Sequence, residues 1–118
     1  MAIGIPGVNE ENLYALFEDD MELYISALSS FLVNTPMALN KLRNVSQETL
    51  QDYSICVHGI KGTCASICAE EARKKALELE MMSKNGDLPG VLAANEIFLK
   101  YMENLLDNLQ KWLKNYES

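Results

Sequence analysis

Residues 91–116 read "VLAANEIFLKYMENLLDNLQKWLKNY", and their spacing decides the fold class. Val91, Ala94, Phe98, Tyr101, Leu105, Leu109, Trp112 and Tyr116 recur every three or four positions. That period places them along one side of an α-helix and leaves polar residues on the other. A long helix with one apolar face must bury that face against partners, so the rest of the chain is read for them.

Upstream, "NGDLPG" (85–90) supplies stop signals in Asn85, Gly86 and Pro89. They end a fourth helix running from Ala69 to about Lys84, with Ala72, Ala76 and Leu79 on its inner side. A third helix runs from a cap at Ser46 to about Ile67. A second, capped by Asp19 or Asp20, carries Tyr24, Leu28, Phe31, Thr35, Ala38 and Leu42 as its core stripe. Pro36 removes the hydrogen bond to the Leu32 carbonyl, but the periodicity continues in phase, which predicts a kink rather than a break. A short first helix starts at Asn9 with Leu13, Leu16 and Phe17 on one side, and residues 1–8 are extended. No stretch alternates as a strand. The pattern predicts one all-α domain over residues 1–118, an antiparallel four-helix bundle with a short additional N-terminal helix.

Composition narrows the function classes. Of 118 residues, 48% are hydrophobic, enough for one core. No apolar run approaches the roughly 18 residues of a membrane span. The opening "MAIGIPGVNEEN" has no basic segment leading an apolar one, so the chain reads as soluble and cytoplasmic, with no membrane partner. Seventeen acidic residues against 10 basic ones give a net charge of −7, which repels phosphate backbones and argues against nucleic acid. There is no P-loop, dinucleotide fingerprint or kinase glycine loop. A single histidine and no base beside any serine leave an autonomous hydrolase without support.

Cys56, Cys64 and Cys68 are odd in number and close in sequence, which suits reduced packing residues rather than a disulfide framework. They do not form a metal site with His58. On a helix His58 lies about 160° around from Cys56, about 9 Å along the axis from Cys64 and about 15 Å from Cys68.

The lone histidine sits in "VHGIKGTCAS" (57–66). Tyr53, Cys56, Val57, Ile60, Cys64 and Ile67 form a complete core stripe without it. Gln51, Ser54, Lys61, Gly62 and Ala65 lie within about 60° of His58, and Ile67 about 180° away, so the imidazole points outward. Glycine inside a helix costs about 1 kcal/mol relative to alanine, so Gly59 and Gly62 need a reason. Gly62, one turn after His58, leaves the ring open to a large partner, and Lys61 sets an ammonium beside it. A neutral imidazole has a nucleophilic nitrogen lone pair near pH 7. Attack on an activated phosphoryl group gives a phosphohistidine, with Lys61 offsetting the charge on the phosphoryl oxygens. The sequence has no evident ATP or magnesium site, so donor and metal must come from another protein.

At these residues the sequence resembles the histidine-containing phosphotransfer (HPt) domains of two-component phosphorelays. The family's histidine, two residues, Lys-Gly and Ser or Thr read here as His58-Gly59-Ile60-Lys61-Gly62-Thr63. "ALFEDDMELYISALSSFLVNTPMALNKL" and "ASICAEEARKKALELEMMSKNGDL" resemble the flanking helices. Cys68 departs from the pattern, since many members have glycine there, and Gly59 replaces a larger or polar residue.

The resemblance implies a phosphorelay intermediate without kinase activity of its own. His58 is the phosphoacceptor, Lys61 supports the phosphoryl group and Gly62 gives access. The partners are response-regulator receiver domains, with a hybrid sensor histidine kinase as a further candidate. No cofactor is bound by this domain, and Mg²⁺ comes with the receiver. Geometry on the helix wheel suggests Gln51, Ser54 and Ala65 as docking surface, beside Leu13, Leu16 or Phe17. Two other readings stand beside this one: a phosphate-independent helical adaptor that binds a receiver, and the dimerisation and phosphoacceptor region of a histidine kinase. The latter uses two helices per chain, whereas this chain carries a monomer's bundle.

Overall fold

A computed structural model describes residues 4–18 and 20–117. Among them are five helices and no strand: α1 (Glu10–Phe17), α2 (Met21–Asn40), α3 (Leu50–Ser66), α4 (Glu70–Lys84) and α5 (Leu88–Glu117). Helices α2, α3, α4 and α5 pack in a closed ring, each against the next and α5 against α2, with α1 laid on α2. The fold is the all-α bundle that the periodicity indicates.

Side-chain caps set two of the starts. Asn9 Oδ1 accepts the Asn12 N–H at 3.0 Å, and Asp20 Oδ1 accepts the Leu23 N–H at 3.0 Å, each satisfying a donor the helix cannot. Asp20 is thus the cap, while Asp19 lies outside the described residues. Helix α2 runs unbroken through Pro36. Its inner stripe is Tyr24, Leu28, Phe31, Thr35 and then Leu39, with Ala38 only half-buried. The step after Thr35 is four residues rather than three, and it carries a larger side chain inward.

Ser46 does not cap α3. The Ser46 N–H donates to Thr49 Oγ1 at 2.9 Å and the Thr49 N–H to the Ser46 carbonyl at 3.2 Å, closing a turn before the helix starts at buried Leu50. At the other end, Cys68 has φ +63°, the left-handed conformation that glycine usually supplies. The Ala69 N–H reaches the Cys64 carbonyl at 2.9 Å and the Cys68 N–H the Ala65 carbonyl at 3.1 Å, the paired bonds of a Schellman turn. Cysteine therefore makes a turn that glycine makes without strain, at a cost of about 1–2 kcal/mol for the Cβ. Two bonds from outside hold the turn: Tyr24 Oη donates to the Ile67 carbonyl at 2.9 Å, and the Asn9 N–H to the Cys68 carbonyl at 2.8 Å.

On α5 the buried residues are Val91, Asn95, Phe98, Leu99, Met102, Leu105, Leu109 and Leu113. Ala94, Tyr101 and Trp112 flank this stripe half-buried, and Tyr116 is exposed, stacked on Trp112 with centroids 5.1 Å apart. Asn95 is the polar exception on the stripe. Its Oδ1 accepts the Tyr53 hydroxyl at 2.8 Å and its Nδ2 donates to the Leu42 carbonyl at 3.0 Å, joining α5 to α3 and to the end of α2. At about 45 Å, α5 is roughly twice the length of α4, so its second half needs other cover. Residues 4–9 supply some of it: Ile5 is buried, and a Cβ on Gly7 (φ +70°) would stand 2.6 Å from Leu105 Cδ1.

Candidate functional site

The α3–α4 pair builds the site. His58 projects from α3 with its side chain 63% exposed, as the wheel requires. Opposite it on α4 stands Glu80, whose side chain is 3% exposed. Glu80 belongs to the inner stripe of α4 with Ala72, Ala76, Leu79 and Ser83, so packing forces a carboxylate inward. A buried carboxylate needs positive partners or hydrogen-bond donors. It has three. Lys61 Nζ lies 2.7 Å from Oε1, Lys84 Nζ 2.8 Å from Oε2, and His58 Nδ1 also 2.8 Å from Oε2.

Lys61 first and Lys84 second hold the Glu80 carboxyl down to about 2, with His58 adding to them and partial desolvation opposing all three. A group that stays ionised can only accept hydrogen bonds. Nδ1 of His58 must therefore carry a proton, which leaves the lone pair of the neutral ring on Nε2. The outer edge of the imidazole is the nucleophilic one.

Around the ring, the two sides of α3 differ. Lys61 and Ala65 are half-buried and Ser54 is buried at 7% exposure, because α4 covers that side. Ile55, Gly59, Gly62, Thr63 and Ser66 are exposed on the other. A Cβ added at Gly59 or Gly62 would meet nothing within 4 Å, so neither glycine is required by packing inside the chain. Beyond them a groove of about 430 Å³ runs between α2 and α3, lined by Ser30, Asn34, Cys56, Gly59, Thr63 and Ser66 among others.

These positions correct part of the docking surface read from the wheel. Leu13 is wholly buried and Ser54 is only 7% exposed, so neither offers a partner much surface. Gln51 and Leu16 are exposed, while Phe17 is half-buried, edge-on to Tyr24 at 5.2 Å. Missed altogether were Glu80 and Lys84. The signal was present: a glutamate beside Leu79 on a stripe otherwise without charge, with a lysine one turn on.

Cys64 and Cys68 are buried in the core and Cys56 is half-buried against it. Burial pushes the Cys64 thiol up to about 12 and raises Cys56 and Cys68 as well, and all three are free. Among the described residues, no group of three or more His, Cys, Asp or Glu is placed to hold a metal ion, and no helix is long and apolar enough to cross a membrane.

Comparison with known families agrees with this geometry. The family model described as "Hpt domain" matches residues 12–112. The chain belongs to the Hpt family. Hpt domains are helical bundles that serve as intermediates in histidine phosphotransfer in two-component phosphorelays, and are not kinases themselves. No curated protein and no solved structure matched the chain. The matched span of this Hpt domain takes in α2, α3 and α4 whole, and with them His58, Lys61, Glu80 and Lys84.

Proposed function

We propose that His58 is the phosphoacceptor and that the domain shuttles a phosphoryl group between receiver domains. The observation that supports this is the exposed imidazole held through Nδ1 by a buried, ionised carboxylate. Nε2 attacks the phosphorus of a receiver's phospho-aspartate. The N–P bond forms as the P–O bond breaks, and that electron pair leaves with the aspartate carboxylate. Nδ1 keeps its proton throughout, so the ring becomes cationic, and Glu80 at 2.8 Å stabilises that charge without taking the proton. The same steps in reverse deliver the group to a second receiver's aspartate.

Lys61, one turn along α3 and 2.7 Å from Glu80 Oε1, is the cation assigned to offset phosphoryl charge once the group is on the ring. Mg²⁺ belongs to the receiver in this scheme, as does the activated donor. Gly62 and Gly59 let the receiver approach the ring closely. The receiver docks on the open side of α3 and along the α2–α3 groove. Ile55 on that open side of α3, and Val33 and Met37 on α2, are large apolar side chains left exposed. A receiver on a hybrid sensor histidine kinase suits the donor role. The ring of four helices closes within one chain, which favours a monomer, and the phosphorelay reading puts it in the cytoplasm with the receivers.

The test is phosphoryl transfer from a panel of phosphorylated receivers with Mg²⁺, wild type against His58→Gln. Acid-labile, base-stable label on wild type alone supports the reading. Binding of a receiver without labelling supports the phosphate-independent adaptor instead.

A further inference from the structure

The groove between α2 and α3 carries no charge. Although 23% of the chain is charged, every residue lining its roughly 430 Å³ is neutral. Phe31 and Ile60 are buried in its floor, with Ala27 and Ala38 on the α2 side. Thr35 shares that floor. It is 3% exposed, and its hydroxyl has no hydrogen-bond partner among the described residues. A buried hydroxyl without a bond has lost its water and gained nothing, so a partner from outside the chain would stabilise it.

The rim is arranged differently. Asn34 Nδ2 donates to the Ser30 carbonyl at 3.0 Å, Thr63 Oγ1 to the Ile60 carbonyl at 2.9 Å and Ser66 Oγ to the Thr63 carbonyl at 2.6 Å. The two hydroxyl protons are thereby spent, and Asn34 Oδ1 and the hydroxyl oxygens are left to accept. On the α3 side the wall is lowered at Gly59, whereas Gly62 takes no part in the groove. Glycine weakens a helix, yet a Cβ at position 59 would meet nothing within 4 Å, so no neighbour in the chain requires it. What a longer side chain there would take is room in the groove.

We infer that this groove binds a neutral small molecule, an apolar ring system whose carbonyl or similar acceptor takes the Thr35 hydroxyl proton, and that its occupancy excludes the receiver. Charge selects the occupant, since an ion would leave water and find no counter-charge on any wall. The volume lies in the lower part of the range for small-molecule sites, about 300–1,000 Å³. The exclusion rests on the phosphorelay reading, in which the receiver docks along the same groove beside His58; the binding does not. A ligand of this class would switch transfer off without touching the histidine.

The probe is prodan, a neutral naphthyl ketone whose emission shifts to the blue on leaving water. A trace of it is titrated with the full chain as wild type, Thr35→Val, Gly59→Leu and Ile97→Ser. At the efficiency of drug-sized ligands, its roughly 17 non-hydrogen atoms give a Kd of about 0.2 mM. Thr35→Val keeps the shape of the side chain and should weaken binding about two- to tenfold, the net worth of one hydrogen bond. Dimethylaminonaphthalene, which lacks the ketone, should bind wild type and Thr35→Val equally. Gly59→Leu should abolish the shift, and Ile97→Ser, an exposed apolar site between α4 and α5, should leave it unchanged. A receiver that labels His58 should displace the probe. No shift with wild type at about five times the expected Kd overturns the inference. So does a shift that survives Gly59→Leu or is unaltered by Thr35→Val. If prodan fails to bind while Gly59→Leu slows labelling, the groove seats the receiver itself and the small-molecule site is wrong. A labelling receiver that leaves the probe bound overturns the exclusion. If no phosphorylated receiver labels wild type, the phosphorelay reading fails, while the titration still decides the groove.

Discussion

Glu80→Gln isolates the charge at the centre of the site, because the amide keeps the shape of the side chain and removes only its ionisation. In the folded protein the carboxyl is held down to about 2 against an ordinary 4.5. A lowered carboxylate pKa stabilises the fold above the unfolded value, and the contribution disappears as pH falls from about 4.5 through about 2. The gap of about 2.5 units corresponds to a ceiling of roughly 3 kcal/mol at 1.36 kcal/mol per unit. Two of the three partners, His58 and Lys84, are each 63% exposed, so solvent screening reduces this to about 1–2 kcal/mol. Urea unfolding of wild type and Glu80→Gln, in steps from pH 7 to pH 2, measures it. The variant should be about 1–2 kcal/mol less stable at pH 7, with the difference closing toward pH 2. A difference as large at pH 2 as at pH 7 would place the loss in packing and refute the electrostatic account, and no difference at pH 7 would refute it equally.

Other variants probe separate parts of the structure. Gly62→Ala should raise stability by about 1 kcal/mol, since its methyl meets open space, yet slow transfer from a receiver; thermal melts and labelling rates read the two effects apart. Lys61→Gln should slow labelling and raise the Glu80 pKa, because Lys61 is its strongest partner; ¹³C-detected titration of Glu80 follows the second effect. Asn95→Ala leaves the Tyr53 hydroxyl and the Leu42 carbonyl without their bonds, and urea melts should show a loss of about 2–3 kcal/mol. Tyr24→Phe removes one buried bond to the Ile67 carbonyl and should cost about 1–2 kcal/mol, with amide exchange rising first around Cys68 and Ala69.

The helices and the outward direction of His58 were legible because both follow from a 3.6-residue period, which the chain states many times over. What the period leaves open is which neighbour covers a given flank. Ser54 and Ile55 lie on either side of His58, and only the placement of α4 makes one buried and the other a surface residue. Leu13 and Leu16 share the short first helix, and the end of the bundle decides that Leu13 is core and Leu16 is not. Local rules failed where two of them competed. At Ser46 a side-chain turn with Thr49 takes the place of a helix cap, and at Leu39 a four-residue step replaces the three-residue step to Ala38. Glu80 was readable in principle as a charge on a buried stripe. Its three partners come from two helices, so the hub itself exists only after folding.

The account stands on a phosphoryl group carried by Nε2 of His58 with the Nδ1 proton retained by Glu80. ¹⁵N-edited NMR of the imidazole, before and after labelling by a phosphorylated receiver with Mg²⁺, tests this most directly. The account predicts an Nδ1–H tautomer in the resting protein and phosphorus coupling to Nε2 after transfer. A resting proton on Nε2, coupling to Nδ1, or label on any residue other than His58 would contradict it.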